Sequence, residues 1–255
     1  MRLVDLSAPI SQSPDTTPPF LCTDITYSTH AEGAAQAEAI LGIPPIVFRE
    51  SEGWAAETFT RFGTHDSTHI DAPWHYNSKC QGQPAQTIDQ LPLEWFFQDG
   101  VLLDMSHKQD ADVMTVEDAQ SALKRIGYTL KPLDIVLIRC GADAFYGRPD
   151  YLFHGCGVSA EATRWLFEQG VRVMGIDAWG WDMPLNVQAQ KAMAGGVPTP
   201  GVFWAAHQVD LPYAQIERLM NLSELPPFGF KVSCFPLRIT GGSAGPARVV
   251  AILQD

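Results

Sequence analysis

One short segment of the chain concentrates the residue types that bind metal ions. Within residues 61–77, RFGTHDSTHIDAPWHYN, three of the seven histidines of the chain stand close to two aspartates. On a straight strand the side chains of His65, His69, Asp71 and His75 would project from one face, because side chains alternate with period two. Imidazole and carboxylate ligands together suit zinc, manganese or iron. The segment therefore predicts a metal site.

A straight strand cannot bring these side chains to one ion. The six residues from His65 to Asp71 would span roughly 20 Å at about 3.3 Å per residue, whereas ligand atoms lie about 2.0–2.2 Å from a metal ion. On a straight helix His65 and His69 would align, but Asp71 would point away. We therefore expect the chain to bend near Asp66 and Ser67.

The remaining histidine of the segment has a different predicted role. If His65, His69 and Asp71 bind the metal, coordination positions stay open for water and substrate, as a catalytic site requires. Because an imidazole titrates near neutral pH, His75 is the candidate general base. Pro73 removes a backbone donor, and we expect it to disfavour helix there. The alternative is a polar loop whose histidines are coincidental.

The segment resembles the metal-binding motif HxGTHxDxPxH of the cyclase-type metal-dependent hydrolases, a family that includes bacterial kynurenine formamidases and isatin hydrolases. Here the motif reads HDSTHIDAPWH over residues 65–75, and Ser67 stands where the family usually has glycine. The resemblance implies the same three ligands and the same base. It also implies an α/β fold, namely a single domain with a mixed β-sheet or barrel-like core and flanking helices, of the swivelling β/β/α type.

The resemblance extends to the last quarter of the chain. Residues 213–222 resemble the family's closing segment, in which a glutamate before Leu-x-Asn-Leu reaches the metal, and Glu217 is the matching position. Gln215 would share its face on a strand and is the second candidate; the alternative is a surface pair. His207 lies where the formamidases place a histidine of a second metal. A one-metal site with His207 contacting the substrate is equally compatible with the sequence.

Aromatic residues flank the histidines and suggest the kind of substrate. Phe59, Phe62 and Trp74 could form a wall for a planar ligand, although aromatic residues beside a strand equally often belong to the core. Ser233 and His207 are candidates, with the metal, to stabilise an oxyanion.

Strand and helix patterns alternate along the rest of the chain, which favours an α/β domain. Strands are predicted at 2–6, 54–62, 100–105, 135–140, 171–177, 229–239 and 247–253. Helices are predicted at 31–42, 115–127 and 159–169. Residues 11–20 are too rich in Pro, Ser and Thr for a regular element. We expect one domain over 1–255, with an N-terminal insertion at about 10–50.

Composition limits the partners that the protein can have. The net charge of −12 argues against a nucleic-acid or anionic-membrane surface. The five cysteines include no C-x-x-C pair, which argues against a disulfide framework or a cysteine-rich zinc site. Since no run of about 18 apolar residues occurs, a cytoplasmic protein is the simplest interpretation. The apolar helix at 31–42 could cap the site, contact a partner subunit or lie on the surface.

Together with the family resemblance, these features predict a hydrolase with one or two Mn or Zn ions per site. Its substrate would be a small cyclic or aryl amide, such as an isatin-like lactam or an N-formyl aryl amine, attacked by metal-activated water. No nucleic acid or membrane is expected as a partner, and a homodimer or higher homo-oligomer is expected. Two alternatives remain at this point: a metal-dependent lyase or cyclase that acts through an enolate, and a non-catalytic metal-binding protein.

Overall fold

The computed structural model describes residues 1–14, 17 and 22–254. Part of the Pro-rich stretch predicted at 11–20 to be irregular, residues 15–16 and 18–20, lies outside these residues. The chain divides into two compact units, one formed by Met1–Pro9 with Ser67–Asp255 and the other by Ile10–Asp66. The second unit overlaps the stretch at 10–50 where we predicted an insertion. Among the described residues, no helix is both long and apolar enough to cross a membrane.

Strands and helices alternate through the described residues, together with short 3-10 turns. The strands are β1 (Arg2–Asp5), β2 (Asp24–Ser28), β3 (Ala56–Arg61), β4 (His69–Asp71), β5 (Lys79–Cys80), β6 (Gln83–Pro84), β7 (Phe97–Asp104), β8 (Val113–Met114), β9 (Ile135–Arg139), β10 (Gly157–Val158), β11 (Val173–Ile176), β12 (Ala214–Glu217), β13 (Phe230–Ser233), β14 (Ala244–Pro246) and β15 (Val250–Leu253). The helices are α1 (His30–Leu41), α2 (Pro73–Tyr76), α3 (Val116–Ile126), α4 (Ala160–Glu168) and α5 (Leu185–Ala192).

The first unit is built on a mixed sheet, as predicted. Its described strands run in the order β1-β15-β13-β7-β9-β11-β12-β4-β14. Strands β7, β9, β11 and β12 are parallel to their neighbours in that series. The flanking pairs, from β1 to β7 on one side and from β12 to β14 on the other, are antiparallel.

The sheet is strongly curled. Strands β14 and β15 lie seven places apart in the sheet order, which would separate them by about 34 Å in a flat sheet. Only residues 247–249 connect them, and such a link reaches about 14 Å. Beyond the end of β1, Ala8 N donates to Thr68 Oγ1 at 2.8 Å, next to β4 near the opposite edge. These links give the barrel-like core that the sequence led us to expect.

Apolar side chains cover both faces of the central strands. On β9, Val136 and Ile138 face a cluster that includes residues of α3 and α4, while Ile135 and Leu137 face the other core cluster. Parallel strands that are covered on both sides are typically apolar throughout. This explains why β9 appears in the sequence as an uninterrupted apolar run.

Capping residues define the predicted helices. Thr115 accepts a hydrogen bond from Asp118 N at 3.2 Å and Gly127 takes a left-handed φ of 70°, so α3 begins and ends where predicted. Pro73 was predicted to disfavour helix, but it opens α2, because a proline at the first helical position loses no intrahelical hydrogen bond. Helix α5 and strand β14 were not predicted.

The second unit contains the antiparallel pair β2 and β3 and the predicted helix at 31–42, which is α1. Thr29 and Glu32 form a capping box at its start. The helix packs closely at Gly33, where a Cβ atom would lie 1.8 Å from the carbonyl oxygen of Trp54. Glycine therefore allows the backbone of residue 54 to approach the helix.

Candidate functional site

The pairing of β4 with β12 creates the centre of the site in the first unit. In this antiparallel register His69 lies opposite Glu217, and Asp71 lies opposite Gln215. Period two places His69 and Asp71 on one face of β4, while Ile70 between them packs into the apolar core. The predicted alternation within the motif is therefore realised for these two residues.

Three buried side chains converge on this face. The Nε2 atom of His69 lies 3.3 Å from Asp71 Oδ1 and 3.6 Å from Glu217 Oε2. His69, Asp71 and Glu217 each offer one potential ligand atom, and these atoms all lie within 4.8 Å of one another. On the other side of the ring, His69 Nδ1 lies 2.7 Å from the carbonyl oxygen of Ser67, so the Nδ1 proton is donated there. Such a bond fixes the ring with Nε2 directed at the carboxylates.

The electrostatics of this cluster favour a cation. Burial opposes the charged form of His69, but the carboxylates of Asp71 and Glu217 outweigh it and raise the pKa of the imidazole. Two buried carboxylates beside one another are costly unless a positive charge compensates them. One imidazole and two carboxylates also form a donor set that divalent transition metals accept. The residues present therefore fit a metal ion.

Two neighbours hold Glu217 at one of its carboxylate oxygens, Oε1. The backbone N–H of Trp181 donates to Glu217 Oε1 at 2.9 Å, and His207 Nε2 lies 3.4 Å from the same oxygen. These contacts leave Oε2 directed towards His69. Glu217 thus contacts both His69 and His207.

Gln215 has a different environment on the same strand. Its amide nitrogen donates to the hydroxyl of Tyr213. Its Oε1 atom is buried and accepts no hydrogen bond from any residue that the structure describes. This oxygen therefore adds a further buried acceptor to the face that carries Asp71 and Glu217.

The predicted base, His75, belongs to an aromatic group with His207. The ring of His75, on α2, lies 6.0 Å from that of His207 and 5.2 Å from that of Trp204. His207 stacks on Trp204 with centroids 4.7 Å apart and an interplanar angle of 10°. The structure thus brings together both residues that the sequence analysis selected as catalytic.

His207 is tied to an aspartate that the sequence analysis did not select. His207 Nδ1 donates to Asp182 Oδ2 at 2.5 Å, and both side chains are almost fully buried. Burial opposes the protonated ring, but Asp182 and Glu217 raise the pKa of His207 to about 10. A bound metal ion would compete with that proton, because metals bind neutral imidazole.

Three other predicted residues lie in the second unit. His65 Nδ1 is 3.0 Å from Thr64 Oγ1. The rings of Phe59 and Phe62 lie 5.3 Å apart, and Phe59 is 49% exposed. The roles of His65 as a ligand and of both phenylalanines as substrate contacts stay predictions.

The last two predicted substrate contacts lie in the first unit. Trp74 is on α2 and is 43% exposed, next to His75. Ser233 is on β13, which three strands separate from β12 in the sheet order. Their roles also stay predictions.

Asp182, Trp204 and Trp181 are the site residues that the sequence did not reveal. Trp204 precedes His207 by three residues in the stretch FWAAH, which was a local signal for an aromatic neighbour. Its backbone has a positive φ of 58°, a conformation that bulky residues rarely adopt and that tends to occur at functional sites. Asp182 carried no such signal, since its partner follows 25 positions later.

Ser67, the departure from the motif, is compatible with the site. Its φ is not among the positive values of the described residues, so glycine is not required there. Its hydroxyl donates to the carbonyl oxygen of Ala8 at 3.0 Å. The serine therefore adds an anchor for the start of β4 and removes no ligand.

Comparison with known proteins gives consistent matches. Residues 4–183 match the model of the family described as "Cyclase: Putative cyclase". The kynurenine formamidase of Salinibacter ruber (strain DSM 13855 / M31) is 28% identical over 210 residues, which cover 76% of this chain and 78% of that protein. The kynurenine formamidase of Erythrobacter litoralis (strain HTCC2594) is 28% identical over 194 residues, 75% of this chain and 74% of that one. Isatin hydrolase A from Ralstonia solanacearum has a similar fold, with a TM-score of 0.72 and 24% identity over 99% of this chain and 92% of that chain.

Proposed function

Because the chain belongs to the cyclase family, we propose that it is a metal-dependent hydrolase that cleaves a non-peptide carbon–nitrogen bond in a small amide. The observation that carries this proposal is the convergence of His69, Asp71 and Glu217 in a buried cluster next to His75 and His207. A donor set beside two imidazoles suits a hydrolytic metal site better than a purely structural one.

Several residues would hold the ion. His69, Asp71 and Glu217 are the proposed ligands, and His65 is a further proposed ligand that the motif implies. Mn²⁺ and Zn²⁺ both suit this mixture of imidazole and carboxylate. When bound, the ion would lower the pKa of a water molecule and so allow it to act as the nucleophile near neutral pH.

The proton transfers would fall to the chain's own side chains. As the water oxygen adds to the amide carbonyl carbon, His75 would accept a proton from the water. When the C–N bond breaks, His75 would return that proton to the leaving nitrogen, so that the products are a carboxylate and an amine. His207 and Ser233 are proposed to stabilise the negative charge that develops on the carbonyl oxygen.

The substrate is proposed to be an aryl amide, either an N-formyl aryl amine or an isatin-like lactam. The names of the relatives support this class, since they are a formamidase and an isatin hydrolase. The aromatic group of Trp204, His75 and His207 would suit a planar ring. Phe59, Phe62 and Trp74 are the further aromatic contacts that we propose.

Metal depletion and reloading would test this function. Purified protein would be stripped with a chelator, reloaded with Mn²⁺ or Zn²⁺, and assayed with formanilide and with isatin in water enriched in ¹⁸O. We expect metal-dependent turnover of at least one substrate, with one solvent oxygen in the product carboxylate. Turnover without ¹⁸O in the carboxylate would indicate a lyase or cyclase instead. Retention of metal without turnover of either amide would contradict the proposal.

A further inference from the structure

We propose that Asp182 is a positioning residue, which holds the ring of His207 so that its Nε2 atom faces Glu217 and the ligand cluster. This inference rests on the proposed function for its catalytic consequence. Asp182 contacts neither the cluster nor His75 in the described contacts; its link to the site is His207.

The carboxylate of Asp182 binds both the backbone and the ring of His207. Asp182 Oδ2 accepts the Nδ1 proton of the ring at 2.5 Å and the backbone N–H of His207 at 3.1 Å. Asp182 Oδ1 accepts the backbone N–H of Ala206 at 2.9 Å. The same side chain therefore positions both the turn that carries His207 and the ring itself.

These contacts determine which ring nitrogen faces the site. Since a carboxylate only accepts hydrogen bonds, a proton must stay on Nδ1. The opposite nitrogen, Nε2, then lies 3.4 Å from Glu217 Oε1. Stacking on Trp204 at 10° restricts rotation of the ring plane. Carboxylates that bind the far nitrogen of a histidine fix its tautomer and orientation in this way.

A nearby aspartate provides a matched control. Asp177 is the first residue after β11, five positions before Asp182, and it is fully buried. It accepts the backbone N–H groups of Cys140 and Gly141, both at 2.8 Å, and the thiol of Cys140. Asp177 thus anchors a loop as Asp182 does, but within the described part of the chain it binds no imidazole. The variant Asp177→Asn therefore measures how turnover changes when a carboxylate that only anchors a loop is lost.

A double-mutant comparison would separate positioning from loop anchoring. We expect Asp182→Asn to lower turnover by about 10–100-fold, the usual cost of losing such a partner, while Asp177→Asn keeps wild-type turnover. In a His207→Ala background, Asp182→Asn should cause no further loss, because it acts through the missing ring. If the two losses multiply instead, Asp182 is a loop anchor only and the proposal is wrong.

A second measurement does not depend on activity. In metal-free protein with ¹⁵N-labelled histidine, the Nδ1–H signal of His207 can be assigned by its loss in His207→Ala. Asp182→Asn should shift that signal, because a neutral amide replaces the carboxylate acceptor, and Asp177→Asn should not. An unchanged signal in Asp182→Asn would overturn the positioning role. If wild-type protein hydrolyses neither formanilide nor isatin, the proposed function fails while this measurement still decides the role of Asp182.

Discussion

Two carboxylates approach one imidazole nitrogen in the candidate site. Asp71 and Glu217 both approach Nε2 of His69, and the backbone carbonyl of Ser67 holds the other side of the ring. Since neither carboxylate is exposed to solvent to any large extent, their charges are compensated best by a bound cation. The chemistry of the site therefore depends on which individual residues donate to that cation.

The first prediction concerns the choice between Glu217 and Gln215 as the ligand. Glu217→Gln should weaken metal binding by at least the roughly 10–100-fold that is typical for losing an outer-shell partner, because it removes a charged donor. Gln215→Met should keep the metal, since it retains the volume and removes only the amide. Elemental analysis and competition with a chelator would measure both. Metal loss in Gln215→Met with retention in Glu217→Gln would reverse this assignment.

The second prediction separates the base from the ligands. His75→Ala should retain the metal but lower turnover by about 10²–10⁴-fold, the usual contribution of a positioned acid–base group. His69→Ala serves as the comparison and should lose the metal, because it removes a ligand atom. Bound metal and turnover would be measured on both variants. A metal-free His75→Ala protein would show that His75 is itself a ligand.

At the level of elements, the ends of the parallel strands supply the loops that complete the site. Strand β11 is followed by Trp181, whose backbone N–H donates to Glu217, and by Asp182, which accepts the Nδ1 proton of His207. The antiparallel pairing of β4 with β12 brings the proposed ligands together. Strand pairing thus places the donors, and the β11 loop orients them.

The third prediction concerns the loop after β11. Burial raises the pKa of Asp177 to about 6, although hydrogen bonds from Cys140 and Gly141 oppose the shift. The folded state therefore binds this proton more tightly than the unfolded chain, where an aspartate has a pKa of about 3.9. The resulting stabilisation is fully present below about pH 4 and is lost as the pH rises through 6.

Asp177→Asn removes this titration and provides the comparison. Between pH 4 and pH 7 the free energy of unfolding of the wild type should fall by about 2 kcal/mol relative to that of the variant. Denaturant unfolding at several pH values would measure both proteins. If the free energies of unfolding of the two proteins changed with pH in the same way, the raised pKa of Asp177 would be contradicted.

At the level of the whole molecule, the second unit presents an apolar surface segment. Ile40 and Leu41 at the end of α1, and Ile46 and Val47 shortly after it, are each at least 59% exposed. Exposed apolar side chains close together in a chain often mark a protein–protein contact. This segment supports the proposal that the protein forms a homo-oligomer through two-fold contacts.

The fourth prediction tests that assembly. Wild-type protein should have at least the mass of a dimer by light scattering at micromolar concentration. Ile46→Lys should lower that mass towards the monomer, because it places a charge in the contact. Leu93→Lys, at an exposed leucine of the first unit, is the control and should leave the mass unchanged. A monomeric wild-type protein would exclude the oligomer.

The sequence by itself determined the features that depend on neighbouring residues. The motif at 65–75 identified His69 and Asp71 as partners on one strand face, because alternation along a strand is a local property. Ala and Glu content with a terminal glycine located α1, and a capping box with a terminal glycine located α3, for the same reason. Uninterrupted apolar runs located the central strands, since those strands are buried on both faces.

Only the tertiary structure decided how distant segments meet. The sequence could not show that β4 pairs with β12, and this antiparallel register places Glu217 opposite His69 and Gln215 opposite Asp71; which of the two is the ligand stays a prediction. The sequence also did not predict β14. This Gly-rich stretch becomes a strand because it pairs with an otherwise unpaired edge of β4. Asp182 and His207 are in contact because the chain between them folds back, and they lie too far apart in the sequence for a local pattern to predict this contact. Such contacts depend on strand order and chain connectivity, which no short-range pattern in the sequence encodes.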